Sequence, residues 1–349
     1  MSFTKSNFFI RLSHWEYWPF HFVYAPIYLV WIFICLRCRS FFFFSAANPT
    51  IKNGGFLMET KHDIFPLLPK EYTAHTIYFK VNTEINIVIQ LMKEQNISFP
   101  LIVKPDIGMK GMAVVKVNNK EELKNTVQNF IVDFIIQPFI DLPNEMGLFY
   151  IKYPKQENGK ITGIVNKEFL KVIGDGKNTI LALLNKNKRY ILQIKALTKI
   201  IPKQMNEILA LHETRILVPY GNHARGSLFL DRTKWIDENL TQVINSVCNQ
   251  IEGFHYGRLD IRYNTIEELK QNKNWCIIEL NGAGSEPTHI YDPNHSIFFA
   301  WKEIIRHLWI LATISIQNKK KGFSYLSFKD GINMFKQNSA YINKLNKMI

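Results

Sequence analysis

Cysteine is scarce in this sequence: only four occur among 349 residues, at Cys35, Cys38, Cys248 and Cys276, and they do not have the spacing of a disulfide framework or of a paired zinc site. A cross-linked secreted scaffold is excluded, and a reducing compartment fits. Cys35 and Cys38 form a C-x-x-C with no second Cys or His pair to complete a metal shell. Two inert thiols are the plain reading of that pair and reversible acylation the sharper one. Acidic residues are also few, 29 against 43 Lys and Arg, which leaves a net charge of +14. Such a surplus suggests an anionic partner, whether nucleic acid, an anionic bilayer surface or a phosphorylated substrate. The basic side chains are not interleaved with aromatics. They stand among asparagines, as in Lys186, Lys188 and Arg189 beside Asn185 and Asn187, so a nucleic-acid platform is not expected. There is no internal repeat, and the 47% hydrophobic content is ordinary for a chain that folds around its own core.

From Pro19 to Leu36 there is no Asp, Glu, Lys or Arg at all, and Arg37, Arg39 and four consecutive phenylalanines, Phe41 to Phe44, follow. Eighteen residues are at the lower edge of what crosses a bilayer as a helix. Trp15, Tyr17, Trp18 and Trp31 suit interfacial positions, and the arginines suit a cytoplasmic anchor. Positive charge that follows the apolar run, with no small-residue cleavage site, argues against a signal peptide. A single span or re-entrant anchor, an interfacial helix and a buried core helix all fit the composition; Pro26 would kink a helix and keeps the interfacial form open.

Residues 45–82 read as a linker with one strand near Ile77–Phe79, punctuated by Asn48-Pro49, Asn53-Gly54-Gly55, Pro66 and Pro69. Ile85, Val88, Ile89 and Met92 then recur at helical spacing ahead of a buried strand, Phe99–Val103. Beyond it come strand Val114–Val117, helix Glu121–Phe130, strand Phe134–Gln137 and strands over Leu148–Tyr153 and Ile161–Val172. Helices Ile180–Ala196 and Trp235–Glu252, strands Tyr256–Tyr263 and Trp275–Leu280, and an apolar helix Ser296–Ile316 leading to the basic run Lys319–Lys321 complete the pattern. The class is mixed α and β with hairpins.

Three segments carry chemistry. In the first, Lys104 ends a buried strand and is followed by Gly108, Lys110 and Gly111. A fixed cation thus stands beside backbone N–H groups able to close over phosphate oxygens; a Gly-rich hairpin with a surface lysine is the alternative. In the second, the apolar strand ending in Gln137-Pro138-Phe139-Ile140 offers backbone groups to an adenine edge and apolar side chains to its faces. Glu145, shortly after, is placed to take ribose hydroxyls; an ordinary proline turn is the alternative here. In the third, Arg258-x-Asp260 lies on one strand and Glu279-x-Asn281 on another. Period two puts Glu279 and Asn281 on one side, and two carboxylates with an amide oxygen form a hard-oxygen set suited to magnesium, completed by phosphate and water. An acidic hairpin rim with Arg258 paired to Asp260 is the structural alternative.

In order and separation these segments resemble the ATP-grasp superfamily, which includes D-alanine-D-alanine ligase, glutathione synthetase and cyanophycin synthetase, over roughly residues 83–290. Glu168–Ile180, with Gly174-Asp175-Gly176 and Thr179, is similar to a segment of cyanophycin synthetase and related amino-acid ligases, as is Asn222–Thr233. The resemblance implies an α+β ATP-grasp fold of two lobes sandwiching ATP. It implies that Lys104 and the glycine loop contact phosphates, residues 137–140 bind adenine, Glu145 holds ribose, and Asp260, Glu279 and Asn281 bind Mg2+, or Mn2+ in its place. Arg258, Lys171 and Arg225 become the candidates to meet phosphate or an acyl-phosphate. Gln137 stands where many relatives have Glu, and the stretch before Thr83 is too short for a complete N-terminal substrate domain.

The expected organisation is therefore an apolar anchor (1–44), a linker with a reduced leading segment (45–82), an N-terminal lobe (83–141), a C-terminal lobe with the Mg/phosphate site (142–295) and a basic helical tail (296–349). The expected activity is ADP-forming ligation of a small-molecule carboxylate and an amine, with the catalytic domain on the cytoplasmic side of a membrane and nucleic acid not a partner; a homo-oligomer is compatible with the sequence. An ATP-grasp small-molecule kinase and a non-catalytic ATP-binding membrane protein are the alternatives.

Overall fold

A nearly continuous apolar run shapes the start of the chain. In the computed structural model, which describes residues 3–108 and 111–348, helices α1 (Phe3–Ser13) and α2 (Phe20–Cys38) meet at a corner around the 3₁₀ turn Trp15–Tyr17. Pro26 lies inside α2, and the helix continues through it to Arg39, whose left-handed backbone (φ 52°) ends it. Among the described residues α2 alone has the length and composition to cross a membrane, yet its two sides differ. Val23, Ile27, Ile34, Cys35 and Cys38 are buried, whereas Phe22, Leu29, Ile32, Phe33 and Leu36 are exposed. The buried side packs on the long C-terminal helix Ile297–Lys320, where the Trp301 indole donates to the Val23 carbonyl at 2.7 Å.

The chain is built into the core where the expected anchor meets the expected linker. Phe43, Phe44 and Ala47 are fully enclosed, and Asn48, wholly buried, uses all of its amide. Its Nδ2 donates to the Gly54 and Tyr256 carbonyls at 2.8 Å each, and its Oδ1 accepts from the His255 and Tyr256 N–H groups at 2.8 and 2.9 Å. A buried amide with every valence met acts as a fixed tie between segments. Helix α3 (Lys61–Ile64) follows, its N-terminus capped by Thr60.

The N-terminal lobe consists of β1 (Ile77–Phe79), α4 (Ile85–Glu94), β2 (Leu101–Pro105), β3 (Val115–Val117), α5 (Lys120–Asn129) and β4 (Phe134–Pro138). Its antiparallel sheet has the order β1-β4-β2-β3, and Val88 and Met92 of α4 with Leu123 and Val127 of α5 fill the space against it. The C-terminal lobe contains β5 (Asn144–Ile151), β6 (Lys160–Glu168), β7 (Leu170–Ile173), α6 (Ile180–Asn185), α7 (Lys188–Ile191), α8 (Ile194–Ile200), β8 (Thr214–Val218), β9 (Leu228–Asp231), α9 (Glu238–Cys248), β10 (Tyr256–Tyr263), α10 (Ile266–Lys270) and β11 (Trp275–Asn281). Five of its strands form an antiparallel sheet in the order β11-β10-β5-β6-β9, and β7 pairs with β8 apart from it. Helices α11 (Ile297–Lys320) and α12 (Phe328–Leu345) close the chain. Met334 of α12 packs with Phe43 and Phe44, and Leu345 enters the N-terminal lobe's core.

Strand alternation gives the five-stranded sheet two unlike faces. One is apolar throughout: Met146, Leu148, Leu259 and Ile261 pack on Leu240 and Ile244 of α9. The other is divided along its length. At one end Phe149, Ile151 and Tyr256 are sealed by α11 and by Phe42 to Phe44; at the other the same alternation presents Glu145, Gly147, Arg258, Asp260 and Arg262.

Two expected elements are divided and a third starts late. The helix over 180–196 is three short ones, because the Asn187 side chain takes the Arg189 N–H at 3.0 Å and starts a new turn. The helix expected from Trp235 starts at Glu238, where Asp237 caps it by accepting from the Leu240 N–H at 2.9 Å. The strand over 161–172 parts at Phe169, because β6 pairs with β9 and β7 with β8.

The one-sided packing of α2 sets a testable contrast. Ile34→Ala, at a fully buried side chain of α2, is expected to cost about 2–5 kcal/mol, and Leu36→Ala, at a side chain 72% exposed, to stay within about 0.5 kcal/mol, both read from denaturant midpoints.

Candidate functional site

The charged end of the sheet is built by cross-strand register. Asp260 lies opposite Glu279 and Arg258 opposite Asn281 on the β10–β11 ladder, while Arg262 lies opposite Glu145 and Asp260 opposite Gly147 on the β10–β5 ladder. Gly147 has to be small: a Cβ there would stand 3.0 Å from Arg258 Cδ and 3.0 Å from Asp260 Oδ1. Lys167 reaches in from β6. It lies 3.0 Å from Glu145 Oε1 and 3.1 Å from Asp260 Oδ2, with all three side chains buried. Arg258 grips Asp260 with Nε on Oδ1 at 2.8 Å and Nη2 on Oδ2 at 3.1 Å, and Arg262 Nε lies 3.3 Å from Glu145 Oε2.

Buried charges survive only with partners. Burial alone would raise the Asp260 carboxyl, but Arg258 and Lys167 outweigh it and hold it at about 2. Burial would likewise strip Lys167 of its proton; Asp260 and Glu145 reverse that and hold it above the ordinary lysine range. On the strands themselves cations and carboxylates balance. Two further cations approach from outside this sheet, one of them from the N-terminal lobe.

There Lys104, at the end of β2, extends its ammonium to the Ile278 carbonyl of β11 at 3.2 Å. Burial first, and then the neighbouring Lys61, lower its pKa to about 8, against the opposing pull of Glu279. Lys61, in the first turn of α3, lies 2.5 Å from Glu279 Oε1. Gly108 lies beside these groups and Gly111 beside the opposite wall. A Cβ on Gly108 would stand 2.5 Å from Lys61 Nζ, and one on Gly111, whose φ of +69° already demands glycine, 2.6 Å from Asn222 Nδ2. The loop at 219–227 closes the far side, with the Gly221 N–H donating to Glu145 Oε2 at 3.1 Å.

Arg258, Asp260 and Glu279 thus converge with Lys104, Gly108 and Glu145 between the lobes. Asn281 joins them through its position opposite Arg258, and its Nδ2 is buried without a hydrogen-bond partner. The connector is more committed than the sequence implied. Gln137 is buried with its Nε2 donating to Thr76 Oγ1 at 2.6 Å, and the Phe139 N–H donates to the Pro100 carbonyl at 2.9 Å. Pro138 closes β4, and Ile140 follows it outside the strand. The Phe139 ring carries the Lys116 ammonium 3.7 Å from its centroid. Arg225 belongs to the 219–227 loop, where it donates to the Tyr220 hydroxyl. Lys171 projects from the exposed side of β7 and, among the described residues, forms no ion pair. Lys110 lies outside the described residues.

Sequence reasoning missed Lys61 and Lys167. Lys167 had a signal: a lone cation at an inward position of an apolar strand requires a buried carboxylate. Lys61 had none, since only the folding of residues 42–60 against the C-terminal lobe brings it to Glu279.

A family model described as the RimK-like ATP-grasp domain matches residues 67–158, which covers the strand lysine, the glycine loop, the connector and Glu145, and the resemblance to ATP-grasp ligases stands on that segment. No curated protein matches. Among solved structures, a bifunctional glutathione synthetase from Pasteurella multocida is 14% identical with a TM-score of 0.36, covering 73% of this chain and 38% of its own. D-alanine–D-alanine ligase from Bacillus anthracis is 14% identical with a TM-score of 0.42, over 75% of this chain and 68% of its own. VanG D-Ala:D-Ser ligase from Enterococcus faecalis is 15% identical with a TM-score of 0.41, over 72% and 61%. The chain spans little more than a third of the first of these proteins.

Because Lys167 neutralises two buried carboxylates, Lys167→Met is expected to destabilise the fold by about 3–5 kcal/mol, measured by chemical denaturation. Lys171→Met, on the exposed edge, is expected to change stability by no more than about 0.5 kcal/mol.

Proposed function

We propose that this protein is an ATP-dependent, ADP-forming carboxylate–amine ligase that works attached to a membrane through α2, with its two lobes on the cytoplasmic side. The observation that carries this reading is the meeting of Lys104 from the N-terminal lobe and Lys61 from the leading segment with Asp260, Glu279 and Asn281 of the C-terminal lobe, beside Gly108.

The donor set fits a hard divalent cation. Asp260 and Glu279 are cross-strand neighbours, and the orphaned amide of Asn281 can turn to present its oxygen. Among the described residues no three His, Cys, Asp or Glu side chains form a ready-made metal cluster, so phosphate and water would complete the shell. Mg2+ held by Asp260, Glu279 and Asn281 would supply charge neutralisation at the phosphate oxygens.

The chain's own part is positioning. Lys104 and the backbone of the glycine loop hold phosphate oxygens. Lys61, paired with Glu279 beforehand, keeps that carboxylate ionised. Arg258, fixed by both Asp260 oxygens, is aimed where charge develops as a substrate carboxylate attacks the γ-phosphate. An amine then attacks the acyl-phosphate carbon, and inorganic phosphate leaves as the amide forms. The connector at 137–140 lies beside adenine, and Glu145 reaches ribose when nucleotide draws it from Lys167.

The test is ADP release by the purified protein with Mg-ATP against pooled amino acids, dipeptides and small carboxylates. Stimulation by one pool is expected, with an amide in the products, and Asp260→Asn and Glu279→Gln are each expected to lower turnover at least a hundredfold while the circular dichroism spectrum is retained. A phosphorylated product without an amide would identify a kinase instead. Full activity in both variants would remove the metal assignment.

A further inference from the structure

We infer that α2 lies in the plane of an anionic bilayer, seated on its outer face, and does not cross it. This rests on the membrane attachment proposed above and specifies its geometry and lipid chemistry.

The two-sidedness of α2 is the first argument. Its inner face is committed along its length to the catalytic body: the Val23 carbonyl takes the Trp301 indole at 2.7 Å, Trp31 packs on Phe43 with ring centroids 5.0 Å apart, and Ile34, Cys35 and Cys38 sit in one cluster with Phe149 and Tyr256 of the five-stranded sheet. A helix crossing the hydrocarbon would take this sheet with it, and the buried ion pairs and loop backbone around it have no partners there. Lying flat, the same helix presents an exposed side that includes Phe22, Leu29, Ile32, Phe33 and Leu36 to lipid and leaves both lobes in water.

The second argument is what surrounds that face. Apolar exposure continues beyond both ends of α2. At its start Phe298 is 72% exposed and packs on Trp301; at its end Phe41, 59% exposed, packs on Phe328. Between Phe41, Phe323 and Phe328 a surface hollow of about 570 Å³ is lined by Arg39 and Lys319. Exposed phenylalanines around two cations match a phospholipid: acyl chain against the rings and phosphate between the charges. Lys320, next in α11, adds to the basic rim. A neutral protein partner would be indifferent to these cations; an anionic lipid surface is complementary to them.

Orientation is measurable because Phe22 and Leu36 are separated by roughly 21 Å of helix. Phe22→Cys, Leu29→Cys and Leu36→Cys, each made in full-length protein with Cys276→Ser, would be labelled with an environment-sensitive fluorophore; the other native cysteines are buried. The labelled proteins would be bound to vesicles of phosphatidylcholine with or without phosphatidylglycerol, and depth read by quenching from lipids spin-labelled at shallow and deep positions. The expected result is one common depth of about 5–10 Å for all three labels. Binding is expected to be stronger to phosphatidylglycerol vesicles, with Arg39→Ser/Lys319→Ser losing roughly thirtyfold of that affinity at low salt. Leu29 deepest with Phe22 and Leu36 shallow would overturn the in-plane seat and leave membrane attachment intact. Equal binding to both lipids, unchanged in the double variant, would overturn the anionic preference. No binding to either vesicle would overturn the seat and the attachment together.

Discussion

The charge held on one face of the five-stranded sheet is the constraint on which the rest depends. Lys167 lies between Glu145 and Asp260 with none of the three in contact with bulk water, and Arg258 and Arg262 close the remaining oxygens. Such an array is stable only while every member is paired. It therefore fixes which residue can lie opposite Asp260, namely Gly147, and why the loop at 219–227 is drawn down onto Glu145. Beside the balanced strand charges, Lys61 and Lys104 bring two further cations to the cleft, with Glu59, Asp106 and Glu286 close by.

That cleft is also tied to the N-terminal corner of the chain. Trp15 stacks on Tyr291 with centroids 5.7 Å apart, Glu16 pairs with Arg189 at 2.6 Å, and Tyr17 stacks on His223 of the 219–227 loop. Tyr24 donates to Glu286, whose backbone carbonyl accepts from Arg258 at 3.3 Å. The side of α2 turned away from the exposed apolar face thus forms a wall beside Arg258.

How much of this could be read from the residues differs by element. Strands β2, β4, β10 and β11 were legible because their apolar alternation is bounded by turn residues, and the order of Lys104, Asp260, Glu279 and Asn281 along them carried the resemblance. Period two placed Glu279 and Asn281 on one side, but nothing in the spacing of Asp260 and Glu279 reveals that they lie opposite each other; that is a matter of register between strands separated by α10. The division of residues 180–200 into three helices was hidden because the apolar periodicity runs on while Asn187 offers a competing cap. The two-sidedness of α2 was illegible for a different reason: a uniformly apolar helix has no polar face to mark which side is buried, and only the packing against α11 decides it. Lys61 lay outside every motif.

The proposed function requires that Asp260, Glu279 and Asn281 hold a divalent cation together with phosphate. Electron paramagnetic resonance of Mn2+ titrated into the protein, with and without a non-hydrolysable ATP analogue, tests it most directly. Tight Mn2+ binding that appears only with the nucleotide and is lost in Glu279→Gln is the predicted result. Mn2+ bound equally well by the Glu279→Gln protein would contradict it.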